Sequence, residues 1–112
     1  MASIVEQIGV PALLEQTAED CCELAQACLK MARKLRDENP TPKSIEDIRD
    51  NLVEEMADVR LCIGMINHDE DLMQMKDIDA FHHLIDLECE KRERWEKRLG
   101  LSIDLEDENE SV

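Results

Sequence analysis

The sequence predicts an all-α protein, and three observations support this fold class. Gly and Pro cluster in only two stretches before the end of the chain, Gly9-Val-Pro11 and Asn39-Pro-Thr-Pro42. Apolar residues between these stretches recur at steps of three and four, the period of an amphipathic helix. The length of 112 residues suits one domain. We therefore expect a helical bundle of three long helices plus a short N-terminal helix, assembled as a homo-oligomer.

The first long helix is predicted from Pro11 to about Asp37, with Pro in its first turn. Small and apolar residues recur along it at alternating steps of four and three, which predicts an amphipathic face that packs closely. This stripe comprises Leu14, Ala18, Cys21, Ala25, Cys28, Ala32 and Leu35.

The second long helix is predicted to begin at a capping box, Ser44-Ile-Glu-Asp47, and to end near Asn67. Its apolar stripe comprises Ile45, Ile48, Leu52, Val59, Cys62, Ile63 and Ile66.

A polar patch, His68-Asp-Glu-Asp71, and a short helical turn from Leu72 to Met75 are predicted to precede the third long helix. Gly100 is expected to end that helix. Its apolar positions are Ile78, Phe81, Ile85, Trp95 and Leu99.

The three helices with residues 1–101 are predicted to form one domain, followed by an acidic, flexible tail over 102–112. Such wide apolar arcs, with only 2% aromatic residues, would leave much apolar surface uncovered in a monomer. We therefore expect self-association.

The charge balance excludes several functions. With 28 acidic and 13 basic residues the net charge is −15, which disfavours direct binding to nucleic acid polymers or anionic membranes. No apolar run is long enough for a membrane helix, and no secretory signal starts the chain, so a cytoplasmic protein is expected. The five cysteines lack the spacing of a zinc or redox motif and are interpreted as reduced, small apolar residues.

Two acid pairs occupy unusual helical positions. On a helical wheel, Glu55 falls within the apolar arc of its helix, while Asp58 lies about 60° away on the border. Asp20 occupies the edge of the apolar arc of the first helix, and Glu23 lies about 60° from it. Each pair has i, i+3 spacing, so both of its carboxylates share one face.

The two pairs also agree in register. In an antiparallel hairpin, Asp20 with Asp58 and Glu23 with Glu55 share a midpoint at position 39, in the predicted turn. Each like-charge pair about 5 Å apart costs roughly 3 kcal/mol at an effective dielectric of about 20. Either some of the acids are protonated or cations bind among them, and an all-oxygen donor set favours Mg²⁺ first and Mn²⁺ second. The alternative is that Asp20 and Glu23 are ordinary surface acids and that Glu55 pairs with a buried Lys or Arg.

Basic residues near these acids are candidates for binding a substrate anion. Lys30 and Lys34 follow Glu23 on the same helix line, and Lys30 is displaced from it by about 10 Å. Lys91 and Arg94, with Arg98, are the basic residues of the third helix that could close the site. Each could equally be a solvated charge on a very acidic chain.

Four segments together resemble the MazG-like all-α nucleoside triphosphate pyrophosphohydrolases. They are Ala18–Lys30, Asn39–Pro42, Asn51–Val59 and Lys91–Leu99. The resemblance implies metal ligands at Asp20, Glu23, Glu55 and Asp58, a homodimer or homotetramer, and Mg²⁺ as cofactor. Where the family usually has Glu, this chain has the shorter Asp20.

The implied activity is hydrolysis of a nucleoside or deoxynucleoside triphosphate at the α–β linkage, giving a monophosphate and pyrophosphate. By that resemblance Glu19 or Glu23 assists as base, and Lys30, Lys91 or Arg94 stabilises charge on the departing pyrophosphate. The alternative hypothesis is a catalytically silent helical oligomer that acts as a protein-interaction or regulatory module.

Overall fold

The computed structural model describes residues 2–38 and 42–101, and within these ranges every regular element is a helix. The contacts divide the chain into two compact units, one ending at Gln74 and the other beginning at Met75. The all-α class is confirmed. The helices are α1 Ile4–Ile8, α2 Val10–Arg36, α3 Ile45–His68, α4 Glu70–Met73 and α5 Asp77–Leu99.

Side-chain oxygens cap three of the helix starts. Ser3 Oγ accepts from the Glu6 amide at 3.1 Å while the Glu6 carboxylate accepts from the Ser3 amide at 3.2 Å, a complete capping box. Ser44 Oγ accepts from the Asp47 amide at 3.1 Å, which confirms the predicted start of α3. Asp69 caps α4 by accepting from the Leu72 amide at 2.9 Å. These bonds satisfy amide donors that have no partner inside their helices.

Left-handed or extended backbone separates the helices at their other ends. Gly9, with φ 86° and ψ 157°, lies between α1 and α2, and Pro11 falls in the first turn that follows. Gly100 ends α5 at φ 76°, as the sequence predicts. Asp37 adopts φ 56° at the end of α2, where its amide donates to the carbonyls of the preceding turn.

The core of the first unit lies in the hairpin formed by α2 and α3, with α1 against α2 and α4 against α3. Asp20 is buried in this hairpin together with apolar side chains, so an acid occupies part of the core. The buried apolar residues of the two helices are Leu13, Ala27, Ile48, Val59 and Cys62.

The face of α2 that packs in the hairpin differs from the predicted stripe. The buried positions are Leu13, Asp20 and Ala27, whereas the predicted stripe is exposed except for half-buried Ala32. The packed face also carries half-buried Leu24 and Met31, whose larger aliphatic side chains bury more apolar area than Ala or Cys. The predicted stripe is therefore a second, uncovered apolar face of α2.

The second unit contains α5. All five apolar positions predicted for this helix are exposed, from Ile85 at 38% to Leu99 at 68%. None of the described helices has the length and apolarity to cross a membrane. The single domain over 1–101 stays a prediction, and the tail predicted over 102–112 lies outside the described residues.

Candidate metal centre

The α2–α3 hairpin brings three of the four predicted ligands into one cluster. Asp20, Glu23 and Asp58 each offer a carboxylate oxygen, and these oxygens lie within 4.8 Å of one another. Asp20 is buried, whereas Glu23 and Asp58 are exposed. The cluster therefore has one side in the core and one side open to solvent.

Asp20 is held by two side-chain donors. Gln16 Nε2 donates to its Oδ1 at 3.0 Å, from one turn earlier on α2. Cys62 Sγ donates to its Oδ2 at 3.3 Å, from across the hairpin on α3. A carboxylate with both oxygens engaged has a fixed orientation, which is how residues outside a metal's ligand set orient its ligands.

The Cys62 thiol remains protonated as a donor. Burial raises its pKa, and the hydrogen bond to Asp20 and the negative charges of Asp20 and Asp58 raise it further, against an opposing hydrogen bond from Thr17. The spacing of the cysteines predicts small apolar residues and does not indicate this role. All five are free thiols, and Cys62 alone among them is buried.

Glu55, the fourth predicted ligand, lies on α3 outside this group of converging oxygens, close enough to interact electrostatically with all three acids. Burial raises the pKa of its carboxyl, followed by the charge and hydrogen bonding of Glu23 and the charges of Asp58 and Asp20. Its Oε2 atom is out of contact with solvent and has no hydrogen-bond partner within residues 2–38 and 42–101. The pairing of this oxygen with a buried Lys or Arg, the alternative weighed from the sequence, is absent from that described part.

The donor chemistry of the cluster fits a hard divalent cation. All four groups are carboxylates, and one oxygen of Glu55 is buried with no partner in the described part of the chain, a costly arrangement for a polar atom unless a cation or proton compensates it. Carboxylate oxygens without His or Cys ligands suit Mg²⁺ or Mn²⁺. Asp20, Glu23, Glu55 and Asp58 are the residues that would hold such an ion.

The other predicted site residues lie outside the converging oxygens. Glu19 is exposed on α2, next to Asp20 in sequence. Lys30 is exposed and Lys34 half-buried further along the same helix. Lys91 and Arg94 are exposed on α5, in the second unit.

Comparison of the chain with known protein families, curated proteins and solved structures found no match.

Proposed function

We propose that this protein is a Mg²⁺-dependent nucleoside triphosphate pyrophosphohydrolase that cleaves the α–β linkage of an NTP or dNTP. The observation that carries the proposal is the group of three converging carboxylates together with Glu55 beside it, one oxygen of which is buried with no hydrogen-bond partner among the described residues. A bound cation relieves the repulsion in such a cluster without protonation of its acids, and a cation held there would attract a polyphosphate to an otherwise acidic protein. The resemblance of four sequence segments to the MazG-like enzymes supports the same activity.

The carboxylates have different proposed roles because their environments differ. Asp20 is fixed by Gln16 and Cys62. Glu23 is exposed at the open side of the cluster, where its carboxylate can accept the proton of an attacking water. Mg²⁺, when bound, supplies neutralisation of the triphosphate charge and Lewis acidity.

Hydrolysis then forms one P–O bond and breaks another. The oxygen of water bonds to the α phosphorus as the bond from that phosphorus to the oxygen bridging the α and β phosphates breaks. Pyrophosphate leaves with the bridging oxygen. Glu23 receives the proton of the water, and Glu19, one turn earlier, is the alternative base. Lys30 and Lys34 on α2 are the proposed partners of the phosphates, and the roles that the resemblance implies for Lys91 and Arg94 stay predictions.

A homodimer or homotetramer in the cytoplasm completes the proposal. The uncovered apolar face of α2 and the exposed apolar positions of α5 support self-association, because such surface is costly in water. Either assembly would cover part of it.

The direct test is incubation with Mg²⁺ and a panel of canonical and modified nucleoside triphosphates, followed by detection of monophosphate and pyrophosphate. Glu55→Ala is expected to lower the turnover about 100-fold or more, since electrostatic groups at a reacting centre have effects of this size. Glu54→Ala removes the neighbouring exposed acid and is the matched control, expected to retain activity. Equal turnover of the two variants would contradict the role of the cluster.

A second candidate function is a catalytically silent helical oligomer that acts as an interaction or regulatory module. The exposed Ile78, Phe81 and Trp95 of α5 favour it, since they offer contact area that needs no chemistry. Absence of turnover across the panel, with unchanged self-association of Glu55→Ala, would support this module over the enzyme.

A further inference from the structure

One face of α5, in the second unit, is exposed from end to end. Glu88 and Arg92 lie on this face between its apolar positions, and both are exposed. The seven residues recur at alternating steps of three and four and fall within an arc of about 100°, the pattern of a helix that packs along another helix. We call them the α5 stripe: Ile78, Phe81, Ile85, Glu88, Arg92, Trp95 and Leu99.

Charge divides α5 into two halves of opposite sign. Positions 77–90 contain five acids and neither Lys nor Arg, whereas positions 91–99 contain five Lys and Arg and two acids. A second α5 in the antiparallel direction would place its basic half beside the acidic half of the first, and the reverse at the other end. A parallel copy would instead place acid beside acid and base beside base, which is costly at an interface. The charges of α5 therefore complement an antiparallel copy of the same helix.

The α5 stripe also indicates the register of such a pair. In an antiparallel pair related by a two-fold axis, residues that lie opposite each other share a midpoint. A midpoint at position 90 places Phe81 opposite Leu99, Ile85 opposite Trp95 and Glu88 opposite Arg92. A midpoint at 88.5 would instead place Arg92 opposite Ile85, and a midpoint at 92 would place it opposite its own copy. Position 90 thus matches apolar with apolar residues and acid with base, and a polar pair inside an apolar seam is a common determinant of register.

A groove along the basic half of the α5 stripe has room for side chains of a second helix. Its volume is about 680 Å³, and its walls include Arg92, Trp95 and Leu99. In the register centred at position 90, these three residues lie opposite Glu88, Ile85 and Phe81 of the second copy. Trp95 is 66% exposed, so an aliphatic residue opposite its ring would remove a large apolar area from water.

We propose that α5 pairs with α5 of a second copy of this chain, antiparallel and centred at position 90, with Glu88 of each copy bound to Arg92 of the other. This pairing rests on the homo-oligomer in the proposed function and gives it an interface, but it does not depend on the hydrolase activity. The α5 stripe and the uncovered face of α2 are separate surfaces. A tetramer with two kinds of two-fold contact would use both of them.

The test reverses the two charges one at a time and follows the fluorescence of Trp95. This residue is the one tryptophan of the sequence, so its emission reports on the α5 stripe and not on the face of α2. Glu88→Arg and Arg92→Glu each place like charges opposite each other twice in a pair. Each variant is expected to raise the dissociation constant of the α5 pair at least about tenfold and to shift the emission maximum to longer wavelength.

Mixing the two variants in equal amounts is expected to restore the pair. In a mixed pair both contacts join a base of one chain to an acid of the other, so the emission maximum should return to the wild-type wavelength at the same total concentration. Glu88 and Arg92 also have the i, i+4 spacing of an ion pair inside one helix, and mixing would not restore such a pair.

The controls make the same charge changes on the opposite side of α5. Glu90→Arg and Lys97→Glu lie about 170° and 150° from the centre of the α5 stripe, and both positions are exposed. Each is expected to keep the wild-type emission without mixing. Circular dichroism checks that every variant retains its helices, and Glu88→Lys and Arg92→Asp replace the two reversals if either of those folds poorly.

The outcomes separate this inference from the proposed function. Wild-type emission from both single reversals, or no recovery on mixing, would overturn the α5 pairing and leave the hydrolase and an assembly through α2 standing. Equal shifts from the reversals and from their controls would overturn it as well, because net charge would then be the cause. A wild-type protein that sediments as a monomer would overturn both the pairing and the proposed oligomer, and the nucleotide assay would still test hydrolysis.

Discussion

Glu55 is an acid with one oxygen that neither water nor a described base reaches. Its ionised form loses hydration and faces three further carboxylates, which is why its pKa is raised above the ordinary value of 4.5. A raised carboxyl pKa means that the folded protein holds the proton more tightly than the unfolded chain does. Ionisation of Glu55 at neutral pH therefore destabilises the cation-free fold.

Glu55→Gln is expected to raise the melting temperature of the cation-free protein at pH 7.5 by a few degrees. The sign follows from linkage: the penalty on wild type is absent well below pH 4.5, where Glu55 is protonated in both states, grows as the pH rises from 4.5 to the raised pKa, and is constant above it. The gap between variant and wild type should consequently widen over this interval and then level off, which thermal melting in EDTA across a pH series measures.

The control for this prediction is Glu54→Gln, which removes an equal charge from an exposed neighbouring position. Mg²⁺ should raise the melting temperature of wild type and of Glu54→Gln and have little effect on Glu55→Gln. A pH-independent gap, or the same gain from Glu54→Gln, would show that Glu55 is solvated.

The sequence predicts where the acids of the cluster lie but not which side chains donate hydrogen bonds to them. Helical geometry alone places Glu55 in an apolar arc and Asp20 opposite Asp58, because period and hairpin register are properties of the chain. The sequence does not predict the donors to Asp20. Gln16 stands one turn before it, a visible signal, but the bond from Cys62 crosses the hairpin and depends on the rotation of α3 about its axis, which periodicity does not define.

At the scale of elements, two glycines have opposite roles. Gly9 joins α1 to α2 at φ 86° and ψ 157°, a conformation open almost only to glycine. Gly64 lies inside α3, and a Cβ added there would meet nothing within 4 Å, so its lack of a side chain weakens the helix without relieving any contact.

Gly9→Ala is expected to destabilise the fold by about 1–3 kcal/mol through backbone strain. Gly64→Ala is expected to stabilise it by about 0.5–1 kcal/mol through helix propensity. Urea unfolding followed by circular dichroism measures both. A change in stability of the same sign for the two substitutions would contradict the distinction between Gly9 at the junction of α1 and α2 and Gly64 inside α3.

The two apolar faces of α2 show the limit of sequence patterns for an element. Residues 13, 20, 24, 27 and 31 and residues 14, 18, 21, 25 and 28 both follow helical spacing, one position apart. The helical period predicts the helix but does not show which of two adjacent faces of α2 packs against α3. The larger aliphatic residues determine which face packs on α3, and the small-residue face is left exposed.

At the scale of the whole molecule, this exposed face of α2 is the surface expected to mediate self-association. Ala25 lies at its centre and is exposed. A stripe of Ala and Cys flanked by Leu14 and Leu35 permits close approach of another helix, and covering it removes apolar area from water.

Sedimentation at micromolar concentration is expected to give a mass of at least twice the 12.9 kDa of the chain. Ala25→Glu should shift the protein towards the monomer, because it would bury an unpaired charge. Gln26→Glu adds the same charge one position away, outside the stripe, and should leave the mass unchanged. A monomeric wild type, or equal effects of the two substitutions, would refute this interface.

The acids of the cluster come two from α2 and two from α3, so neither helix carries the set alone. Closing the hairpin and assembling the cluster are one event, and any cation that binds there draws the folding equilibrium with it. At a free concentration one hundred times its dissociation constant, such an ion adds about 2.7 kcal/mol to the free energy of unfolding. If a divalent cation binds there, its free concentration is expected to shift the balance between the folded and unfolded chain.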